Sequence, residues 1–255
     1  MRLFRSGIAV LAATSGCYFL YDYSGISDGE GGVMDASPPD ACPSGRGPAM
    51  VALPGYCIDS TEVTIAQYND FIDAGPDAAA LAACGSTSFI PVAPAAWPPD
   101  ASSGNLPVAG IDWCAASAFC AWSGKRLCGK IGGGSLDIAA MNDPSQSQWF
   151  AACSRGGTRA YPYGNSFQAG TCNDNTTSNK IAPVESYDAC VGGFPGIFDM
   201  SGNVAEWEDA CDAGACLVRG GEFNNNSNTF FPCGHQVLVV QNMTSVDKGI
   251  RCCSP

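Results

Sequence analysis

The chain has 255 residues, of which 24 are acidic and 12 are basic, giving a formal net charge of −12. This acidity argues against nucleic acid or an anionic membrane surface as a direct partner. The single histidine, His235, excludes sites that need two imidazoles, among them most catalytic zinc sites. The 15 cysteines include no Cys-x-x-Cys pair, so a zinc ribbon or a thioredoxin-type redox site has no support.

The N-terminus has the layout of an export signal. Residues 1–16 carry two arginines, a short apolar run and then small residues, which predicts a signal peptide. Ser15-Gly16-Cys17 is similar to a bacterial lipobox, so we expect lipid on Cys17, although Thr14 replaces the usual leucine. We therefore expect anchoring in a bacterial cell envelope, at the outer membrane. The alternative is ordinary signal cleavage nearby, which would release a secreted or periplasmic protein.

Residues 17–41 predict a lipidated N-terminus and flexible tether, because Gly, Ser, Asp and Pro dominate them without apolar periodicity. One domain is expected over residues 42–255. Without Cys17 the cysteine count is 14, and an even set in an exported chain predicts seven disulfides. The many Gly and Pro residues, 31 and 17, predict a loop-rich fold that these cross-links stabilise.

Three amphipathic segments predict helices. TEVTIAQYNDFIDAGP has Thr64 as N-cap and Gln67 three places later, which is a capping box. In GIDWCAASAFCAWSG the predicted helix is capped by Asp112 and ends at Gly124. In NDPSQSQWFAACSRGG we expect Asp143 as N-cap and Pro144 in the first turn.

Short strands are predicted at GYCID, at LVRGGEF and at HQVLVVQ. There is no βαβ alternation and no repeat. The fold class is therefore α+β, as a single irregular, loop-rich and disulfide-rich domain.

The order of several motifs resembles one known family. STEVTIAQYNDF, LPVAGIDWCAASAFCAWSGKRL, QWFAACSRGG, RAYPYGN, GIFDMSGNVAEW, VRGGEF and GIRC follow one another as in the formylglycine-generating enzymes, or sulfatase-modifying factor domains. The resemblance covers about residues 55–253 and implies a low-regularity fold related to C-type lectins. The segment 128–145 departs from it, because the family usually continues directly into its next helix there.

The segment IFDMSGNVAEW is a candidate calcium site. Carboxylates and carbonyls at close spacing are the hard oxygen ligands that calcium takes, and the resemblance assigns the ligands to Asp199, Gly202, Val204 and Glu206. Calcium would be structural there. The alternative is a turn in which Asp199 and Asn203 bond the backbone and Glu206 pairs with an arginine.

A second, weaker calcium site is suggested at Asn173 and the carbonyl of Asp174. The next ligands would fall near Thr176 and Ser178, in a segment that is shortened here. A polar loop beside a disulfide at Cys172 is the alternative that we favour.

Five of the seven expected disulfides can be assigned to pairs. The resemblance implies Cys120–Cys252 and Cys153–Cys233, and proximity in the sequence suggests Cys42–Cys57, Cys172–Cys190 and Cys211–Cys216. Sequence alone does not pair the remaining four cysteines, which are Cys84, Cys114, Cys128 and Cys253.

The redox site of the resembling enzymes has no counterpart here. Their two copper-binding cysteines follow the Arg-Gly-Gly strand, and the matching positions in this chain are Asn225 and Phe230. Neither side chain can replace a thiolate for monovalent copper, so copper is not expected. Cys233 and His235 could form a nucleophile pair, but Cys233 has a better use in a disulfide.

These observations favour a non-catalytic envelope protein that acts in binding or scaffolding. Its partners would be the membrane, through the N-terminal lipid, and an unknown envelope protein, peptide or glycan. One alternative is an oxidoreductase of the formylglycine-generating enzyme type with a displaced active site. Another is a lectin-like binder of glycans or peptides.

Overall fold

The computed structural model describes residues 41–82, 85–86, 88–92, 100–177 and 179–255. The helices are α1 (Ile65–Asp73), α2 (Ala79–Ala82), α3 (Trp113–Trp122) and α4 (Gln148–Ser154). The strands are β1 (Met50–Leu53), β2 (Tyr56–Asp59), β3 (Arg126–Leu127), β4 (Ala205–Asp212), β5 (Ala215–Arg219), β6 (Gln236–Val240), β7 (Lys248–Ile250) and β8 (Cys252–Ser254). Helices and sheets are mixed, in agreement with the predicted α+β class.

Two four-stranded sheets organise the domain. The first has the order β1-β2-β8-β3 and is antiparallel throughout. The second has the order β6-β5-β4-β7, in which β7 runs parallel to β4. Arg251 separates β7 from β8, so the C-terminal segment contributes a strand to each sheet.

Helices α1 and α3 begin where the sequence predicts. The Thr64 hydroxyl accepts a hydrogen bond from the Gln67 N–H at 3.3 Å, and the Gln67 side chain accepts one from the Thr64 N–H at 3.0 Å. Asp112 caps α3 by accepting from the Ala115 N–H at 2.8 Å. The buried faces of both helices pack into one core, in which the rings of Phe71 and Phe119 meet edge to face at 5.7 Å.

The expected start of α4 at Asp143 is wrong. The N-cap is Ser147, whose hydroxyl accepts from the Phe150 N–H at 3.1 Å. Asp143 instead accepts from the N–H and the hydroxyl of Ser145, at 2.9 and 2.6 Å. Short polar side chains stabilise such turns in competition with a helix, so the helix starts later in the chain.

Disulfides join distant parts of the domain. The structure contains each of the five expected pairs, Cys42–Cys57, Cys120–Cys252, Cys153–Cys233, Cys172–Cys190 and Cys211–Cys216. It also pairs Cys128 with Cys253 and has Cys114 in a disulfide. Two adjacent cysteines of β8 thus tie it to α3 and to the residue after β3.

The segment 128–145 packs against β4 and β5 of the second sheet. Leu136 packs with Ala210 and Leu217 in a small apolar cluster, against which Ile138 and Met141 also pack. This segment is therefore part of the folded core of the domain.

The predicted signal peptide 1–16, the lipidation site Cys17, almost all of the tether and Cys84 lie outside the described residues. Within the described ranges, no helix has the length and apolar character needed to cross a membrane.

Candidate functional site

The loop that follows β5 folds back on itself through Asn225. The Asn225 side-chain oxygen accepts from the Glu222 N–H at 2.6 Å, and its NH₂ group donates to the Glu222 carboxylate at 2.5 Å. The Asn225 N–H also donates to the Glu222 carbonyl at 3.0 Å. Asn225 therefore closes a turn on Glu222.

Gly220 and Gly221 make this turn possible. Both have positive φ, 95° and 73°, a conformation that glycine adopts without strain. A Cβ on Gly221 would lie 2.8 Å from the Phe230 carbonyl oxygen and 3.1 Å from the Asn225 side-chain oxygen. Asn225 and Phe230 are the two positions matched to the copper-binding cysteines of the resembling enzymes. Both therefore lie next to Gly221.

The aromatic side of the loop holds the single histidine. The Phe230 ring meets the His235 ring edge to face at 5.1 Å between centroids. The buried Nε2 of His235 has no hydrogen-bond partner among the described residues, and burial lowers the pKa of this imidazole. Cys233 is bonded to Cys153, so a Cys233–His235 nucleophile pair is not formed.

A lysine that sequence analysis missed completes the loop. Lys248 Nζ lies 3.2 Å from the Glu222 carboxylate and 2.9 Å from the Asp247 carboxylate. Lys248 begins β7, so the ion pair ties the loop after β5 to the far edge of the same sheet. No local pattern in the sequence indicates this contact, because 26 residues separate Lys248 from Glu222.

Strand β4 places Glu206 in a buried network. Arg251 Nη2 lies 2.8 Å from Glu206 Oε1, and the Arg251 Nε lies 2.9 and 3.0 Å from the two carboxylate oxygens. The Trp149 indole N–H donates to Glu206 Oε2 at 2.6 Å. Both carboxylate oxygens of Glu206 therefore already accept hydrogen bonds, from the Arg251 guanidinium or from the Trp149 indole.

Asp199 lies in the same region and bonds the backbone. Its Oδ2 accepts from the Glu185 N–H at 2.6 Å, whereas Oδ1 accepts no hydrogen bond from the described residues. The φ values of Asp199 and Asn203 are 59° and 58°, so the loop uses the left-handed conformation that Asp and Asn tolerate best. Burial raises the pKa of Asp199 to about 6.

Glu62 is a buried acid of this region that the sequence did not indicate. Its carboxylate accepts from the Val204 N–H at 3.0 Å and from the Asn203 side chain at 2.9 Å. Burial and the neighbouring charges of Asp199 and Glu206 raise the pKa of Glu62 well above its usual value. Three acids therefore share one buried region with the cation Arg251.

The loop around Asn173 satisfies its own polar groups. The Asn173 NH₂ donates to the Lys180 carbonyl at 2.8 Å and to the Asn203 side chain at 2.9 Å. The Asp174 carbonyl accepts from the N–H and hydroxyl of Thr177, at 3.1 and 2.6 Å. Ser178 lies outside the described residues. The Asn173–Asn203 bond joins this loop to the one before β4.

Comparison with known proteins gives the family. The model of the sulfatase-modifying factor enzyme 1-like domain matches residues 26–254. The chain belongs to this family. The motifs GNVAEW and VRGGEF both lie within the matched residues.

Several curated proteins are similar to this sulfatase-modifying factor domain. It is 28% identical to the inactive Cα-formylglycine-generating enzyme 2 of Bos taurus over 197 residues, 65% of this chain and 58% of that protein. It is 32% identical to the formylglycine-generating enzyme of Mus musculus over 140 residues, 47% and 33% of the two chains. It is 26% identical to the hercynine oxygenase of Mycolicibacterium smegmatis over 198 residues, 69% and 42% of the two chains. This chain spans less than two thirds of the length of each relative.

Solved structures share the fold. PvdO from Pseudomonas aeruginosa superimposes with a TM-score of 0.53 at 16% identity, covering 78% of this chain and 79% of that chain. CarF superimposes with a TM-score of 0.50 at 21% identity, covering 80% and 88%. At these identities the likeness concerns the fold alone.

The family's copper site does not fit the residues of this sulfatase-modifying factor domain. Monovalent copper selects soft sulfur ligands, and the two positions hold an amide and a phenyl ring. The Asn225 amide is already hydrogen-bonded to Glu222 on both of its polar atoms. No group of three His, Cys, Asp or Glu side chains within the described ranges is arranged to hold a metal ion.

Calcium at the loop before β4 fits in part. The carbonyl oxygens of Gly202 and Val204 and the Oδ1 of Asp199 receive no hydrogen bond from the described residues, and hard oxygens of this kind are calcium ligands. Glu206 fits less well, because Arg251 and Trp149 occupy its oxygens. The alternative to calcium was a turn in which Asp199 bonds the backbone and Glu206 pairs with an arginine. These contacts are present, and calcium binding stays a prediction.

Proposed function

We propose that this chain is an exported, lipid-anchored envelope protein whose sulfatase-modifying factor domain binds a ligand and does not generate formylglycine. The observation that carries the proposal is the pair Asn225 and Phe230, which stand where the enzymes of the family have two thiolates. Copper and oxygen chemistry at this place needs sulfur ligands, and neither residue supplies one.

The contacts of the loop support a structural or binding role. Asn225 is held by Glu222, and Glu222 is held in turn by Lys248 at 3.2 Å. A loop fixed in this way presents a preorganised polar surface, which lowers the entropy cost of binding a ligand. The relative named inactive formylglycine-generating enzyme 2 is a precedent for a family member without the activity.

The alternative of a displaced active site has weaker support. It would use Cys233, the nearest sulfur to the two positions in the sequence, and that sulfur is bonded to Cys153. A thiolate is the reactive form of cysteine, so the disulfide would have to open before Cys233 could act.

The envelope location rests on the N-terminal sequence and on the cysteines. Structural disulfides persist in oxidising compartments outside the cytosol, and all 13 cysteines from Cys42 onward that lie in the described ranges are disulfide-bonded. Substituting Cys17→Ala should move the protein from the membrane to the soluble fraction. Mass spectrometry that finds a mature N-terminus without lipid would contradict the anchor alone and leave the binding proposal standing.

A peptide assay tests the catalytic part of the proposal. The purified protein is incubated with copper, oxygen and a peptide that carries a sulfatase-type cysteine motif, with an active formylglycine-generating enzyme as the positive control. We expect no conversion of the cysteine. Turnover that Cys233→Ser abolishes would overturn the proposal in favour of a displaced active site, and any other turnover would overturn it as well.

Binding itself is tested by a screen of envelope peptides and glycans. A specific ligand should be lost when Glu222→Gln and Asn225→Ala loosen the loop, and it should be kept in the exposed control Asp188→Asn. A ligand that binds all of these variants equally would place the binding site elsewhere.

A further inference from the structure

We propose that a cleft beside the C-terminal end of α4 binds an oxyanion, such as a phosphate, sulfate or carboxylate group. The cleft has a volume of about 290 Å³, and Arg155, Arg159, Tyr163, Gly192 and Gly193 line it. It contains neither the Asn225 loop nor the candidate calcium positions. The inference therefore goes beyond the proposed function and does not depend on it.

The charge of the cleft is opposite to that of the chain. The protein has twice as many acidic as basic residues, yet neither Arg155 nor Arg159 forms an ion pair with a carboxylate of the described residues. By contrast, Arg219 and Arg251 are each paired with a buried glutamate.

The two guanidinium groups lack strong acceptors. Arg159 donates one hydrogen bond, to the Pro162 carbonyl at 2.9 Å, and the Arg155 guanidinium donates none to the described residues. Burial and then the nearby charge of Arg155 lower the pKa of Arg159, so the two cations lie close enough to repel each other. An anion between them would relieve this repulsion.

The backbone of Arg155 is held in a conformation that arginine disfavours. Arg155 ends α4 with φ 52° and ψ 56°, the left-handed position where glycine is usual. Gly193 packs against it so closely that a Cβ there would lie 2.4 Å from the Arg155 nitrogen. Arg155 thus occupies a position that usually takes glycine, and Gly193 leaves room for its backbone. Such a backbone outlier points to a function.

Tyr163 adds a neutral donor to the cleft. Burial raises the pKa of the Tyr163 phenol to about 12, so the hydroxyl stays protonated at neutral pH and is available to donate. Two guanidinium forks and a phenol form a set of donors without a carboxylate acceptor. This set matches an oxyanion, which arginine can bind through two parallel hydrogen bonds.

A row of rings leads from the cleft toward the loop after β5. Tyr163 stacks on Tyr161 at 5.5 Å, Tyr161 contacts Phe167 at 6.0 Å, and Phe167 stacks on Phe231 at 5.9 Å. Except for the buried Phe231, these rings are half-exposed. They offer an aromatic surface to the part of a ligand that carries the anionic group.

Titration calorimetry of the purified full-length protein tests the proposal with three anions as probes. Inorganic phosphate, sulfate and acetate are each compared with chloride at equal, low ionic strength, because salt screens such contacts. We expect saturable binding of at least one oxyanion, and the order of the three affinities then identifies the preferred class. No saturable binding of any of the three would overturn the proposal.

Variants locate the binding. Arg155→Gly suits the left-handed backbone and should fold at least as well as the wild type, and Arg159→Gln keeps a polar side chain. Each should weaken binding by at least about tenfold, the effect of losing one charge-assisted hydrogen bond. Arg46→Gln is the matched control, because its guanidinium is exposed and lies over Trp122 at 4.5 Å. Equal affinity in all three variants would assign the bound anion to another place and overturn the proposal.

Discussion

Arg251 and Glu206 form a buried ion pair that joins the C-terminal segment to β4. The Arg251 Nη2 lies 2.8 Å from Glu206 Oε1, and both side chains are almost fully excluded from solvent. Arg251 also donates to the carbonyls of Asp59 and Phe198, at 2.8 and 2.7 Å. One guanidinium group therefore connects β2, the candidate calcium loop and β4.

The first prediction concerns this pair. Glu206→Gln should lower the free energy of unfolding by about 3–5 kcal/mol, because it leaves the buried Arg251 charge without its counter-charge. Arg251→Met in the same chain should recover part of the loss, since no buried charge is then unpaired. Urea unfolding of the two variants checks this. Equal stability of the single variant and the wild type would contradict it.

A second prediction concerns calcium. A ligand that binds only the native state raises the unfolding temperature, so removing calcium with a chelator should lower it. Glu206 variants cannot test this, because they also leave Arg251 unpaired. Asp199→Asn is the suitable change, since asparagine tolerates the left-handed backbone and can still accept from the Glu185 N–H.

The Asp199→Asn protein should unfold at the same temperature with and without calcium, as followed by circular dichroism. Asp188→Asn is the control, because this exposed acid precedes the disulfide at Cys190 and is no candidate ligand. If the chelator leaves the wild-type curve unchanged, the loop is held by its hydrogen bonds alone.

Much of the fold could be predicted from local sequence, and the reason is visible at Thr64 and Asp112. Each caps a helix through a contact three residues away, so a short pattern contains the whole signal. Asp143 shows the limit of such patterns. Its side chain could cap a helix or close a turn with Ser145, and only the packed structure selects the turn.

The candidate site was only partly predictable. Asn225 could be placed by counting from Gly221, and its turn on Glu222 spans three residues. Lys248 comes from β7 and Arg251 from the residue between β7 and β8, both far along the chain, and Glu62 comes from the loop before α1. The contacts of Lys248 and Arg251 depend on the pairing of β4 with β7, which has no local signal.

The third prediction concerns the pH dependence of stability. Burial raises the pKa of Asp59 to about 6, although Lys125 lies 2.6 Å away and opposes the shift. A raised pKa means that the native state holds its proton more tightly than the unfolded chain, in which an aspartate titrates at about 3.9. The stability from this group is therefore full below pH about 4 and is lost as the pH rises through about 6.

Comparison of the wild type with Asp59→Asn measures this effect, because the variant has no carboxyl group to titrate at this position. The wild type should lose about 3 kcal/mol relative to the variant between pH 4 and pH 7, from about two pKa units at one site. Urea unfolding of both proteins at the two pH values measures the difference. A difference that does not change with pH would mean that Lys125 keeps Asp59 ionised throughout.

The last prediction concerns the two positions that lack thiols. Asn225 and Phe230 both approach Gly221, since a Cβ there would meet the side chain of one and the carbonyl of the other within 3.1 Å. The double variant Asn225→Cys, Phe230→Cys should therefore gain affinity for monovalent copper, which selects sulfur. The matched control is Asn224→Cys, Phe230→Cys, which moves one thiol by one residue. The gain is measured by competition with a chromophore that binds monovalent copper. The conditions are mildly reducing, so that the native disulfides stay intact. Equal copper binding by both double variants, or by the wild type, would show that this loop no longer has the family's geometry.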